Sequence, residues 1–110
     1  MNDEQLIREL GYFPGTTRAD LAITVRDAMA EMADVNPESI TPSMTFEWYS
    51  EQLRRYDSID FLDFVFQLER RLDVRVPRQK DLARQSDFVD GELCRFIRGI
   101  VELNIEDAAC

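Results

Sequence analysis

The chain contains no histidine. That removes the commonest general base and the commonest zinc ligand, and with them the usual Ser-His-Asp and Cys-His nucleophile arrangements. Cysteine is scarce: Cys94 falls within an apolar helical pattern and Cys110 is the last residue. Two cysteines so placed make neither a disulfide framework nor a metal site, and Cys94 is expected as a small core residue. Proline and glycine number only four each. No apolar run approaches the length of a membrane-spanning helix. The opening Met-Asn-Asp-Glu-Gln lacks the basic-then-apolar pattern of a signal peptide. The expectation is a soluble, cytoplasmic protein without stable membrane insertion. Basic residues are outnumbered 22 to 13, for a formal charge of -9, which argues against a nucleic-acid partner.

What is present is an ordinary globular apolar fraction, 45%, in 110 residues. That is one domain, large enough to bury most of its apolar surface. Charge is uneven. Glu69 to Arg84 holds six basic and three acidic residues, net +3, so the rest carries -12. This segment reads as a solvated loop, with a phosphate or acidic-partner contact as the sharper alternative.

Along the chain, Leu6, Ile7 and Leu10 give one apolar edge to a short helix over residues 2–10, ended by Gly11 and Pro14-Gly15. Tyr12 and Phe13 are expected to pack onto the domain. Thr17 with Asp20 resembles a capping box and predicts a helix from about Arg18 to about Ala33. In it Leu21, Val25, Ala28, Met29 and Met32 face inward, and Arg26, Asp27, Glu31 and Asp34 face outward. Residues 36–57 read as a long loop anchored by Ile40, Met44 and Phe46, with room for a short helix in Glu47 to Arg55. Asp81 to Arg84 reads as one helical turn. Ser86 or Asp87 is expected to cap a last helix to about Leu103, with Phe88, Leu93, Phe96, Ile97, Ile100 and Val101 apolar. The predicted fold is a small all-α bundle of three main helices plus one short helix, with a long first loop. Its divisions are an N-terminal extension (1–17), a helical domain (18–103) and a flexible tail (104–110).

The strongest helical signal runs from Tyr56 to Leu72, opened by the cap-type residues Asp57-Ser58. It carries two apolar stripes. Phe61, Phe64, Val65, Leu68 and Leu72 form one, expected against Val25, Met29, Phe96 and Ile100. Ile59, Leu62 and Phe66 form the other. A second stripe is either more core or a surface that another protein reads.

These residues carry a resemblance. Asp57-Ser58-Ile59-Asp60, then Phe64-Val65-Phe66-Gln67-Leu68-Glu69, then Leu72-Asp73-Val74-Arg75-Val76-Pro77 together resemble the acyl carrier protein family. Val35-Asn36-Pro37-Glu38-Ser39-Ile40 and Phe46 extend the similarity, which covers roughly Ala19 to Ile100. The resemblance implies a carrier and not an enzyme. Ser58, beside Asp57, would receive 4′-phosphopantetheine from coenzyme A through a phosphopantetheinyl transferase, and the thiol of that arm would hold acyl groups as thioesters. The acyl-carrier-like bundle would present them to acyl-transfer or condensing enzymes of fatty acid or lipid metabolism. The stripe Ile59, Leu62 and Phe66, flanked by Asp60 and Asp63, would be the docking face of a monomer. Two features depart from the family: Arg54-Arg55-Tyr56 replaces its Leu-Gly-x before the serine, and Arg70-Arg71 replaces a continuing acidic surface. Both imply a specialised carrier with its own partners. The alternatives are an aminoacyl or peptidyl carrier, an unmodified carrier-like interaction module in which Ser58 only caps a helix, and a small enzyme using Asp57 and Asp60. Nothing builds a pocket around that carboxylate pair.

Overall fold

The computed structural model describes residues 2–57, 61–76 and 92–109. Among them lie five α-helices: α1 (Asp3–Leu10), α2 (Thr17–Ala33), α3 (Phe46–Asp57), α4 (Phe61–Leu72) and α5 (Leu93–Ala109). A 3-10 turn, Pro37–Ser39, follows α2. The only sheet-like contact among the described residues is an isolated bridge between Thr45 and Glu92. The protein is a small all-α bundle, with a radius of gyration of 13.0 Å, that of one packed body of this length.

The helix ends follow local chemistry. Asn2 caps α1: its side chain accepts from the Gln5 amide at 2.8 Å, while the Gln5 side chain accepts from the Asn2 amide at 3.2 Å. Gly11 closes α1 at φ 83°, a left-handed conformation that glycine adopts without steric strain. The cap of α2 is Thr16, one residue before the expected Thr17; its hydroxyl accepts from the Ala19 amide at 3.2 Å. Asp34, also left-handed, ends α2. Asn36 then caps the 3-10 turn by accepting from the Glu38 amide at 2.9 Å.

Helix α2 is the hub. It touches α1, α3, α4, α5 and the 3-10 turn. Its buried residues, among them Ala19, Ala22, Val25, Met29, Ala30 and Ala33, form one broad face, and Asp20, Thr24, Asp27 and Glu31 line the exposed strip opposite. From α5, Leu93, Phe96, Ile97, Ile100 and Val101 are all buried, as the apolar spacing predicts. The anchor Ile40 is fully buried, and Met44 packs against the core. The Met44 and Pro42 carbonyls accept from the Leu93 and Cys94 amides at 2.7 and 3.0 Å. That satisfies two amides at the start of α5 which have no partner inside the helix.

Several expectations are corrected. Residues 46–57 are a twelve-residue helix, not mainly loop; Tyr49 drives this by burying fully and bonding the Met29 carbonyl. Asp57 is therefore the last residue of α3, not the cap of the helix that follows. Arg26 is not on an outward face. It is 2% exposed, because α1 lies across α2 and brings Asp3 to its guanidinium, while Asp27 accepts from Nε at 2.7 Å. The N-terminal residues belong to the common core, since Leu6 and Leu10 join it. The last helix does not stop at Leu103 but runs to Ala109, and Asn104 is engaged by the chain following α4. Cys94 is only half-buried at the edge of the core. The Asp81–Arg84 turn and the Ser86 or Asp87 cap lie outside the described residues.

Candidate functional site

Helix α4 separates its two faces cleanly. Phe64 and Leu68 are fully buried, Val65 is nearly so, and Leu72 packs against the core. Phe64 is the keystone. Its ring stands 5.4 Å from that of Tyr49 at 61°, and 5.7 Å from that of Phe96 at 32°. These are the offset and edge geometries that aromatic quadrupoles favour. One side chain thus ties α3, α4 and α5 together. The Tyr49 hydroxyl donates to the Met29 carbonyl at 2.7 Å, adding α2. Burial pushes the Tyr49 phenol strongly upward, with Arg71 pulling weakly the other way.

The opposite face of α4 meets solvent. Asp63 and Arg70 are exposed, and Phe66 is 47% exposed, an unusual setting for a large apolar ring. Arg71, between the two faces, reaches Glu31 of α2 at 3.2 Å.

The turn leaving α4 is held by side chains. Asp73 adopts a left-handed conformation, φ 53°. The Glu69 carboxylate then accepts from the Val76 amide at 2.9 Å, and Val76 is buried. Asn104 of α5 accepts from the Arg75 amide at 2.9 Å and donates to the Arg75 carbonyl at 2.8 Å. Leu68, Glu69 and Val76, three residues of the carrier-like pattern, thus have plain structural tasks.

Of the sequence-predicted site residues, Asp63 and Phe66 share the exposed face. Leu62 lies in the first turn of α4, Asp57 ends α3, and Ser58, Ile59 and Asp60 lie outside the described residues. Arg70 completes the exposed face, and its spacing of four from Phe66 and seven from Asp63 is the signal that could have placed it there. Among the described residues no cluster of three metal-binding side chains occurs. No described helix is long and apolar enough to cross a membrane.

A second surface feature lies between α1 and α2. Tyr12 does pack onto the domain: its hydroxyl donates to Glu102 at 3.0 Å, and Arg98 sits 5.9 Å from its ring centre. Arg18 donates to both oxygens of the same Glu102 at 3.2 Å. Burial, then the Glu102 carboxylate, push the Tyr12 phenol up to about 12, against the opposing pull of Arg98. Phe13, expected to pack, is instead 78% exposed. A shallow groove of about 330 Å³ lies on one side and one of about 320 Å³ on the other.

Comparison with protein-family models, with curated proteins and with solved structures returned no significant match.

Proposed function

We infer that the protein is a cytoplasmic acyl carrier, with 4′-phosphopantetheine attached to Ser58 and α4 as the helix that partners read. The observation that supports this best is the division of α4: Phe64, Val65 and Leu68 hold the core while Asp63 and Phe66 remain at the surface. A carrier needs such a helix, fixed from behind and legible from in front. Ser58 stands three residues before the start of α4 in the sequence, so a phosphate there would be favoured by the positive end of the helix dipole. The acyl thioester would be made and consumed by a transferase and by acyl-transfer or condensing enzymes. The carrier itself supplies no acid, base or metal.

A second reading is an unmodified helical interaction module. It is favoured by two observations. Helix α3 runs right up to Asp57, where the resemblance implies loop. Leu68, Glu69 and Val76 are also accounted for by packing and by one hydrogen bond.

Intact mass after incubation with coenzyme A and a broad-specificity phosphopantetheinyl transferase separates the two. The carrier predicts a gain of one phosphopantetheine, absent in Ser58→Ala. An unchanged mass with several transferases leaves the interaction module.

A further inference from the structure

The loop joining α1 to α2 carries the most exposed large apolar side chain among the described residues, Phe13. The backbone that presents it is held on both sides. The Phe13 carbonyl accepts from the Thr16 hydroxyl at 2.7 Å and from the Thr16 amide at 3.4 Å. The Tyr12 amide donates to the Ile7 carbonyl at 2.9 Å, and the Tyr12 hydroxyl is fastened to Glu102. The Phe13 ring is left standing in water. Beside it lies the groove of about 330 Å³, lined by Ile7, Gly11, Tyr12 and Pro14 together with Glu4 and Arg8. The space over Gly11 is open: nothing beyond its chain neighbours lies within 4 Å of where a β-carbon would stand. An apolar cavity of about 150 Å³ already accepts a benzene ring, so this groove has room for one phenylalanine side chain.

We propose that two copies of this chain pair through this loop, each inserting Phe13 into the groove between Ile7 and Pro14 of the other. A ridge standing beside a groove that fits it is self-complementary under a two-fold axis between them, which is what an isologous interface requires. Charge also favours a second copy. The whole chain carries -9, but this patch is neutral: Glu4 pairs with Arg8 at 3.6 Å, and Arg18 with Glu102 at 3.2 Å. Two like chains therefore meet here without the local repulsion that their acidic surfaces impose elsewhere. A strongly basic or acidic partner would find no net charge to answer. Neither ion pair has to open, because the contact is made by the Phe13 ring and the apolar walls. One aromatic side chain buries about 150–250 Å², so the contact lies at the small end of interfaces and the dimer is weak and concentration-dependent. It differs from the monomer expected from the sequence. It is independent of Ser58 modification and uses no residue of α4.

The test is the mass of the full chain by sedimentation equilibrium over a concentration series to about 1 mM, the affinity range of weak contacts. The expected result is a dimer fraction that rises with concentration and is lost in Phe13→Asp and Phe13→Ala. Circular dichroism checks that both variants fold, as the exposure of Phe13 leads one to expect. Raising salt from about 0.01 to 0.1 M shortens the screening length from about 30 to about 10 Å. That should increase the dimer fraction, because it screens only the repulsion between two acidic chains. Finally, p-benzoylphenylalanine replaces Phe13, and this chain is mixed with the natural chain labelled with nitrogen-15. Irradiation should join position 13 to the labelled segment 4–14, read by mass spectrometry of the joined peptides. A monomer at every concentration overturns the proposal and leaves Phe13 to a partner of different sequence. A dimer that survives Phe13→Asp, weakens with salt, or cross-links outside that segment overturns it equally.

Discussion

Helices α2 and α4 solve opposite problems. Helix α2 meets every other helix with a broad face, where small alanines and the buried Arg26 blur the contrast with its exposed strip of Asp20, Thr24, Asp27 and Glu31. Helix α4 is buried on one face only, and its apolar and polar residues separate sharply. The strongest amphipathic pattern therefore marks a helix at the boundary, not the one at the centre. Small side chains are the signature of the centre: Ala19, Ala22, Ala28, Ala30 and Ala33 let four helices approach one axis. A face stays legible in sequence where large apolar and charged residues divide by side, and the solvent side is also where binding can occur.

That contrast can be broken at defined points. Phe64→Ala should have the largest effect. It removes the ring that joins α3, α4 and α5, and should lower unfolding free energy by about 3–5 kcal/mol, read from urea denaturation. Ala22→Leu tests the hub. Adding volume at a fully buried position should cost about 1–3 kcal/mol in the same measurement, although leucine is a good helix former. A gain in stability there would show that α2 has room to spare.

A smaller effect concerns pH. Tyr12 is held near 12 against an ordinary value of 10. A raised folded value means that its contribution is complete below about pH 10 and is lost as pH rises toward 12. The melting temperature should therefore fall across pH 10–12, and Tyr12→Phe should lessen the fall. Tyr49, raised still further by burial, should keep part of it. The smallest expected change is Phe66→Ala, a loss of about 1 kcal/mol because only about half of the ring is buried. A loss comparable to that of Phe64→Ala would erase the distinction between the two faces of α4.

Much of this was legible in the sequence, for identifiable reasons. Periodicity separates Phe64, Val65 and Leu68 from Asp63 and Phe66, because a one-sided helix writes its orientation into residue spacing. Gly11 likewise marks the end of α1 by local chemistry alone. Arg26 was not legible. An arginine among acids reads as solvated, and only the arrival of α1, with Asp3, makes it an interior group. Helix α3 was obscured by Pro37, Pro42 and an aromatic pair that fits a loop anchor equally well; Tyr49 becomes helical core only once the Met29 carbonyl and Phe64 are beside it. For the candidate site, spacing set Asp63 and Phe66 apart from the core face, while Ser58, Ile59 and Asp60 lie outside the described residues.

The meeting of α2 with α5 bears on how the chain comes to fold. The two helices stand near opposite ends of the described chain, yet Phe96, Ile97, Ile100 and Val101 complete the core that α2 centres. Such distant partners impose a loop-closure penalty before their contacts repay it, which slows folding relative to a bundle of sequential neighbours. During synthesis α2 emerges before α5, and its α5-facing side stays uncovered until residues 93–101 follow, a stage at which exposed apolar surface invites misassembly.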